Sequence, residues 1–327
     1  MLLLAATAFA AGTMTPDALP TVVTDDGWTL PIRHYAGPGE PVLLVHGLGV
    51  NHYNFDWRPD VSLAAWLRDR GWDVWVAELR GDAGTTPPSK EAAREWTFED
   101  HARHDLPAVV DGVLAATGRE RLAWVGHSMG GMLLYTALTL MPEKIAAGVA
   151  ISSPARFTER ARVYRMGQRA RLLVGGGGKV PIRMAGPSLR VLGRGDPVAR
   201  LLSNPRNMAP DVIRGLMADA TTDVPKAVGR ELIRWIDTGT LSDGRGDAWV
   251  RPANVPLLVM AGVADQFVPW RNVGAACQVY PRCSFRLLGV EQGFRVDYGH
   301  VDPAIGITAA EEVYPLVGEF LAEQVGR

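Results

Sequence analysis

Cysteine is nearly missing from this chain: 327 residues hold two, Cys277 and Cys283. That excludes a disulfide-stapled scaffold. The pair either closes one bridge across the short connection "QVYPR" in an oxidising compartment or stays as two buried thiols. An excess of one charge is also absent, with 34 Lys and Arg against 35 Asp and Glu. A net charge of −1 lacks the basic footprint of a nucleic-acid binder. No apolar run is long enough to cross a bilayer. The opening "MLLLAATAFAAGTM" is too short, and it lacks the Lys/Arg-bearing region that begins a signal peptide, although Ala8 and Ala10 make an Ala-x-Ala-like end. It reads either as a degenerate export signal or as a plain apolar start, so a cytoplasmic and an exported location both stay open.

What is present is an ordinary globular composition, 47% hydrophobic and 21% charged. Short apolar runs alternate with helical patterns, which predicts a mainly parallel sheet flanked by helices. "TVVTDDGWTLPIRHY" reads as an antiparallel hairpin turning at Asp25 to Gly27. "PVLLVHG" and "WDVWVAEL" read as strands, the first buried throughout by its unbroken apolar run. Between them, "VSLAAWLRDR" has helical spacing and stops at Gly71. "FEDHARHDLPAVVDGVLAAT" reads as one long amphipathic helix ending before Gly118. "RLAWVGHS" is a strand running into a serine, and "MGGMLLYTALTLMP" is a helix that Pro142 ends. "AAGVAIS", "VPLLVMAG" and "SFRLLG" complete the strands, and "AAEEVYPLVGEFLAEQ" is a closing helix.

The serine, Ser128 in "GHSMG", is the centre of the chemistry. Nine serines and 36 glycines in 327 residues give about 0.1 chance matches to Gly-x-Ser-x-Gly, so the motif needs its context. That context is a buried strand before the serine and a helix after it, the strand–turn–helix of a nucleophile elbow. Side chains at Gly126 or Gly130 would clash where strand and helix nearly touch. A serine hydroxyl needs a base to take its proton. On such an elbow the acid and then the histidine follow in the chain, and of seven histidines only His300, in "VDYGHVDP", lies beyond Ser128. Asp265 follows the buried strand "VPLLVMAG" and is the expected acid. Asp297 and Asp302 stand too close to His300 in sequence to face its ring. His101 and His104 are expected to be solvent-exposed on their helix, His127 to pack or line the pocket, and His46 to brace a loop. That loop is "HGLG", residues 46–49, where the Leu48 N–H points at a developing oxyanion; the Met129 N–H is the second donor.

These motifs resemble the α/β-hydrolase superfamily: "HGLG", "GHSMGG", Asp265 in "GVADQFVP" and His300 in "DYGHVD", in that order from about residue 20 to the end. "LLVHGLGVNHYNFD" and "WDVWVAELRG" are most similar to bacterial lipase/esterase-type members. The resemblance implies an α/β-hydrolase fold with a mainly parallel eight-stranded sheet, the triad Ser128–His300–Asp265 and no metal or cofactor. Polyhydroxyalkanoate synthases have cysteine at the nucleophile position, and haloalkane dehalogenases and many epoxide hydrolases have aspartate, so Ser128 argues against those chemistries. Where many relatives carry an "RGHGRS"-like stretch this chain has "RGDAGTT" at 80–86, which makes that loop a poor guide.

About a hundred residues separate "AAGVAIS" from "VPLLVMAG", more than an α/β connection needs. By resemblance they form a helical cap, dividing the chain into an apolar terminal segment (1–19), a first core part (20–152), the cap (153–250) and a second core part (251–327). Between Arg156 and Arg200 stand ten arginines and one lysine against Glu159 and Asp196. A solvated helical face accounts for this run, with docking on anionic lipid as the less favoured alternative. "GGGG" at 175–178 reads as a flexible joint, since no Lys-Ser/Thr pair follows to make a phosphate cradle. The expected function is cleavage of a small-molecule or lipid-like carboxylic ester. Thioester hydrolysis or acyl transfer by the same triad, and ligand binding without catalysis, are the alternatives; acyl length and oligomeric state are not legible.

Overall fold

The computed structural model describes residues 15–82, 84–159, 161, 164, 176–182 and 197–326. The expectations for residues 1–14 and for most of the basic run lie outside the described residues. Eight strands form one sheet: β1 (Thr21–Val23), β2 (Thr29–Tyr35), β3 (Pro41–Val45), β4 (Asp73–Ala77), β5 (Leu122–His127), β6 (Ile145–Ile151), β9 (Leu257–Gly262) and β10 (Cys283–Leu288). Their spatial order is β1-β2-β4-β3-β5-β6-β9-β10. The predicted hairpin pairs β1 with β2, and β2 lies antiparallel to β4; the other pairings of this sheet are parallel.

The central strands are buried on both faces, and alternation sorts them into two cores. Leu43, Val45, Trp75 and Trp124 point to one layer, with Val110 and Val113 of α3 (Leu106–Thr117) and Leu133 and Leu134 of α4 (Met129–Leu140). Val42, Leu44, Val74 and Val125 point to the other, with Leu63 and Leu67 of α1 (Leu63–Arg68) and Val317 and Leu321 of α11 (Tyr314–Val325). Among the described residues no helix is long and apolar enough to cross a membrane.

Two expectations need correcting. The long helix is broken into α2 (Phe98–Asp100), a wide π turn (His101–Asp105) and α3. Pro107 has no N–H to give the helical ladder, and the Leu106 N–H reaches back five residues to the His101 carbonyl. This turn carries His101 inward, where it is buried against Asp105 (Nδ1···Oδ2 2.8 Å), which is paired with Arg80; the expected exposure of His101 does not hold. His104 stays partly exposed beside Asp25. The closing helix likewise divides into α10 (Ala309–Glu312) and α11, at Val313 just ahead of Pro315. The two cysteines are joined as a disulfide, with Cα atoms 5.0 Å apart.

Between β6 and β9 the described residues include β7 (Lys179–Val180), α5 (Pro197–Leu202), α6 (Pro210–Gly215), β8 (Val224–Pro225) and α7 (Lys226–Thr238). β7 and β8 pair as a small antiparallel ribbon. Ala227, Val228, Glu231, Trp235 and Ile236 form the buried stripe of α7, and the Trp235 ring meets Phe98 edge-on at 5.0 Å. The Phe98 N–H donates to Glu231 at 2.6 Å, so α7 seats on the start of α2. The segment also touches the loop after β3, where Thr222 N–H donates to the Gly49 carbonyl at 2.9 Å. It meets the His300 loop as well, where Val301 N–H donates to Leu202 at 2.9 Å.

Candidate active site

Ser128 sits between β5 and α4 with φ 52 and ψ −113, a left-handed conformation that non-glycine residues rarely hold. Its N–H donates to the Ile151 carbonyl at 2.8 Å, which fixes the turn to the neighbouring strand. The glycines around it are sterically required. A Cβ on Gly126 would stand 2.2 Å from the Gly130 carbonyl oxygen, and one on Gly130 would stand 1.9 Å from that of Val45. The turn lifts the Ser128 side chain to the sheet's C-terminal edge, where it is partly exposed.

The residues singled out from the sequence converge there. His300 Nε2 lies 3.0 Å from Ser128 Oγ, and its Nδ1 lies 2.8 Å from Asp265 Oδ2. Asp265 Oδ1 accepts the N–H groups of Phe267 at 2.8 Å and Val268 at 2.7 Å, so both carboxylate oxygens are engaged. The His300 and Asp265 side chains are buried, 4% and 0% exposed, which keeps competing water from their contact. Asp297 and Asp302 do not face the ring. Asp297 accepts Val290 N–H, and Asp302 accepts the N–H groups of Gly299 (3.0 Å) and Asn204 (2.9 Å). Burial pushes Asp302 up to about 7, with the nearby Asp265 charge adding to the rise despite these donors.

Leu48 and Met129 line one small cavity together. Met129 is the first residue of α4, so its N–H belongs to the helix start, where backbone donors have no partner within the helix. The loop that carries Leu48 approaches closely: a Cβ on Gly47 would stand 3.3 Å from Ser128 Cβ. Two side chains hold this loop. His46 Nδ1 meets the Gly47 carbonyl at 2.9 Å, and Asn54 Oδ1 accepts the Gly47 N–H at 3.0 Å. His46 therefore braces the loop, as the sequence suggests. Asn54 is not foreseen, since a lone asparagine in "NHYNFD" carries no motif. It also contacts His127 Nδ1 at 2.9 Å, whose Nε2 faces the His300 carbonyl at 3.0 Å. Burial, with the neighbouring His300 adding to it, pushes His127 down to about 3, so the ring is neutral and serves as a strut between the elbow and the histidine loop.

The family described as the alpha/beta hydrolase fold matches residues 40–302, most of the chain. Among curated proteins the chain is similar to human lipase member N, 31% identical over 137 residues, which is 37% of this chain and 34% of that one. It is also similar to human gastric triacylglycerol lipase, 32% identical over 136 residues, with the same shares of 37% and 34%. The chain thus spans about a third of the length of the curated relatives it matches. Among solved structures it resembles a thermophilic esterase from Thermogutta terrifontis, with TM-score 0.62, 19% identity, and 94% of this chain and 98% of that one covered. An esterase from Exiguobacterium antarcticum gives TM-score 0.62 at 15% identity, covering 95% and 100%. With the strand order, the elbow and the family match in agreement, the chain belongs to the alpha/beta hydrolase fold family.

Proposed function

We propose that this protein is a serine hydrolase that cleaves carboxylic esters through a covalent acyl-enzyme. The observation that carries the reading is the continuous relay Ser128 Oγ, His300, Asp265, with contacts of 3.0 and 2.8 Å. His300 Nε2 takes the Ser128 proton as Oγ attacks the ester carbonyl. Asp265 holds the Nδ1–H tautomer and stabilises the imidazolium that forms. The N–H groups of Leu48 and Met129 bind the oxyanion. His300 then protonates the leaving alcohol, and water attacks the acyl-enzyme by the same route in reverse. The names of the similar proteins, lipases and esterases, support this class of reaction. In this reading residues 153–250 are the cap, and the substrate is a small-molecule or lipid-like ester.

The test is turnover of a p-nitrophenyl ester by wild type and Ser128→Ala, with circular dichroism confirming that both are folded. Loss of a triad nucleophile costs on the order of 10⁶ in kcat in subtilisin. Residual activity within tenfold of wild type would place the nucleophile elsewhere, and a wild type that turns over no ester would leave a binding protein on a hydrolase fold.

A further inference from the structure

Behind the loop that carries Leu48, three buried ligand-type side chains meet. His46 follows β3, Glu78 follows β4, and Asp82 belongs to "RGDAGTT"; they are 2%, 1% and 8% exposed. One ligand atom from each lies within 4.8 Å of the other two. The triad has no use for Glu78 or Asp82.

The orientation of His46 is the informative detail. Its Nδ1 is spent on the Gly47 carbonyl at 2.9 Å. Its Nε2 lies 2.7 Å from Asp82 Oδ2 but out of line for a hydrogen bond, so this buried nitrogen has no hydrogen-bond partner. His52 Nδ1 is a second buried nitrogen in the same condition, and it faces Glu78. With Nδ1 on a carbonyl, Nε2 is aimed at carboxylate oxygens, whose charges favour the protonated ring. A bound cation would replace that proton and leave the Nε2 lone pair to ligate it. An imidazole anchored through one nitrogen on a backbone carbonyl is also the arrangement that orients metal-binding histidines. Besides His46 on Asp82 and His52 on Glu78, one further basic side chain touches the two carboxylates among the described residues, Arg33 on Glu78 at 3.2 Å. Leu79 N–H (2.9 Å) holds Asp82 in place from the backbone. The adjoining cavity, about 20 Å³ and lined by His46 and Asp82, has room for one water as a further ligand.

We propose that His46 Nε2, Glu78 and Asp82 form a buried site for one zinc ion that pins the loop carrying Leu48 to the two connections beside it. One imidazole with two carboxylates suits zinc, whereas calcium and magnesium favour all-oxygen sets. Ligands about 2.0–2.2 Å from a zinc ion stand roughly 3–3.5 Å apart, between the 2.7 Å of the His46–Asp82 contact and the 4.8 Å that bounds the cluster. The ion is structural, it takes no part in the triad, and the proposal stands independently of the ester reading.

The experiment titrates chelator-treated full-length protein with zinc chloride by calorimetry and thermal melting, with magnesium and calcium chloride as controls. The expected result is one zinc per chain, a higher Tm with zinc, and no shift with the controls. Glu78→Gln and Asp82→Asn should each weaken zinc binding by at least about tenfold, while His300→Ala leaves it unchanged. Should Asp82→Asn fail to fold, Glu78→Gln and the wild-type titration decide. The proposal is overturned if wild type takes up no zinc at about 100 µM, where a site of even micromolar affinity would be filled. It is overturned equally if binding survives Glu78→Gln undiminished, or disappears in His300→Ala, which would put the ion on the triad.

Discussion

Gly130→Ala adds one methyl group at the tightest point of the molecule. The new Cβ would stand 1.9 Å from the Val45 carbonyl oxygen, 2.6 Å from its carbon and 2.8 Å from the His46 carbonyl oxygen. All three atoms are backbone in β3 or the residue after it, so no side chain can swing aside. Real contacts of this kind stay at 3.0 Å or more, so α4 and β3 must separate by about 1.1 Å. Overpacking of a well-filled core costs about 1–3 kcal/mol and sometimes more. With rigid backbone on the receiving side, we expect roughly 3 kcal/mol or above. The same movement shifts Ser128 and the Met129 N–H away from the Leu48 loop, and a 1 Å misplacement costs about 10²-fold in rate. Gly274→Ala is the control, because its Cβ would meet the Phe285 ring at 3.4 Å in the short helix α8 (Trp270–Gly274) and should gain about 0.5–1 kcal/mol. Urea unfolding and p-nitrophenyl butyrate turnover read both effects. If Gly130→Ala loses less than about 0.5 kcal/mol, a change typical of surface substitutions, and keeps activity within tenfold, the steric account of the elbow is refuted.

Asp265→Asn should fold normally but lose about 10³–10⁴ in kcat, because an amide no longer holds the productive tautomer of His300; if Asp302→Asn is the damaging change and Asp265→Asn is mild, the acid is misassigned. Burial pushes Glu231 up to about 7, against the donors from Phe98 and Glu99 that lower it. Its folded pKa therefore stands above its unfolded one, the native state binds the extra proton between about pH 4.5 and 7, and wild type loses stability as pH rises through that window. Glu231→Gln keeps an acceptor for the Phe98 N–H without the charge, so its Tm should exceed that of wild type at pH 8 by an amount on the order of 2–3 kcal/mol in stability and match it near pH 4. An equal gap at both pH values would show that the carboxylate's titration is irrelevant to the clamp.

The parallel core was legible because buried strands must be apolar on both faces, so "PVLLV" and "LLVMAG" stand out as unbroken runs. The site was legible for related reasons: Ser128 and Asp265 follow such runs closely, and His300 is the one histidine beyond Ser128. Where the sequence misled, the cause was a contact between distant segments. His101 reads as exposed beside charged neighbours, yet Asp105, one turn away, and Arg80, from another connection, pair around it and bury it. Asn54 and the meeting of Glu78 and Asp82 with His46 are invisible for the same reason, since each depends on where three loops end. Pro107 and Pro315 are plain in the sequence, but helical periodicity continues across both, and periodicity alone hides the breaks.

Among the described residues, the segment between β6 and β9 bonds to the core at several places, among them Thr222 on Gly49, Leu202 on Val301, Asn204 on Asp302 and Glu231 on Phe98. Of these contacts, Gly49 and Val301 are chain neighbours of Leu48 and His300. A rigid-body lift of the whole segment, hinged at its ends, would tear hydrogen bonds from the loops that carry both. In the proposed ester reading, substrate then reaches Ser128 between these contacts rather than beneath a lifted segment.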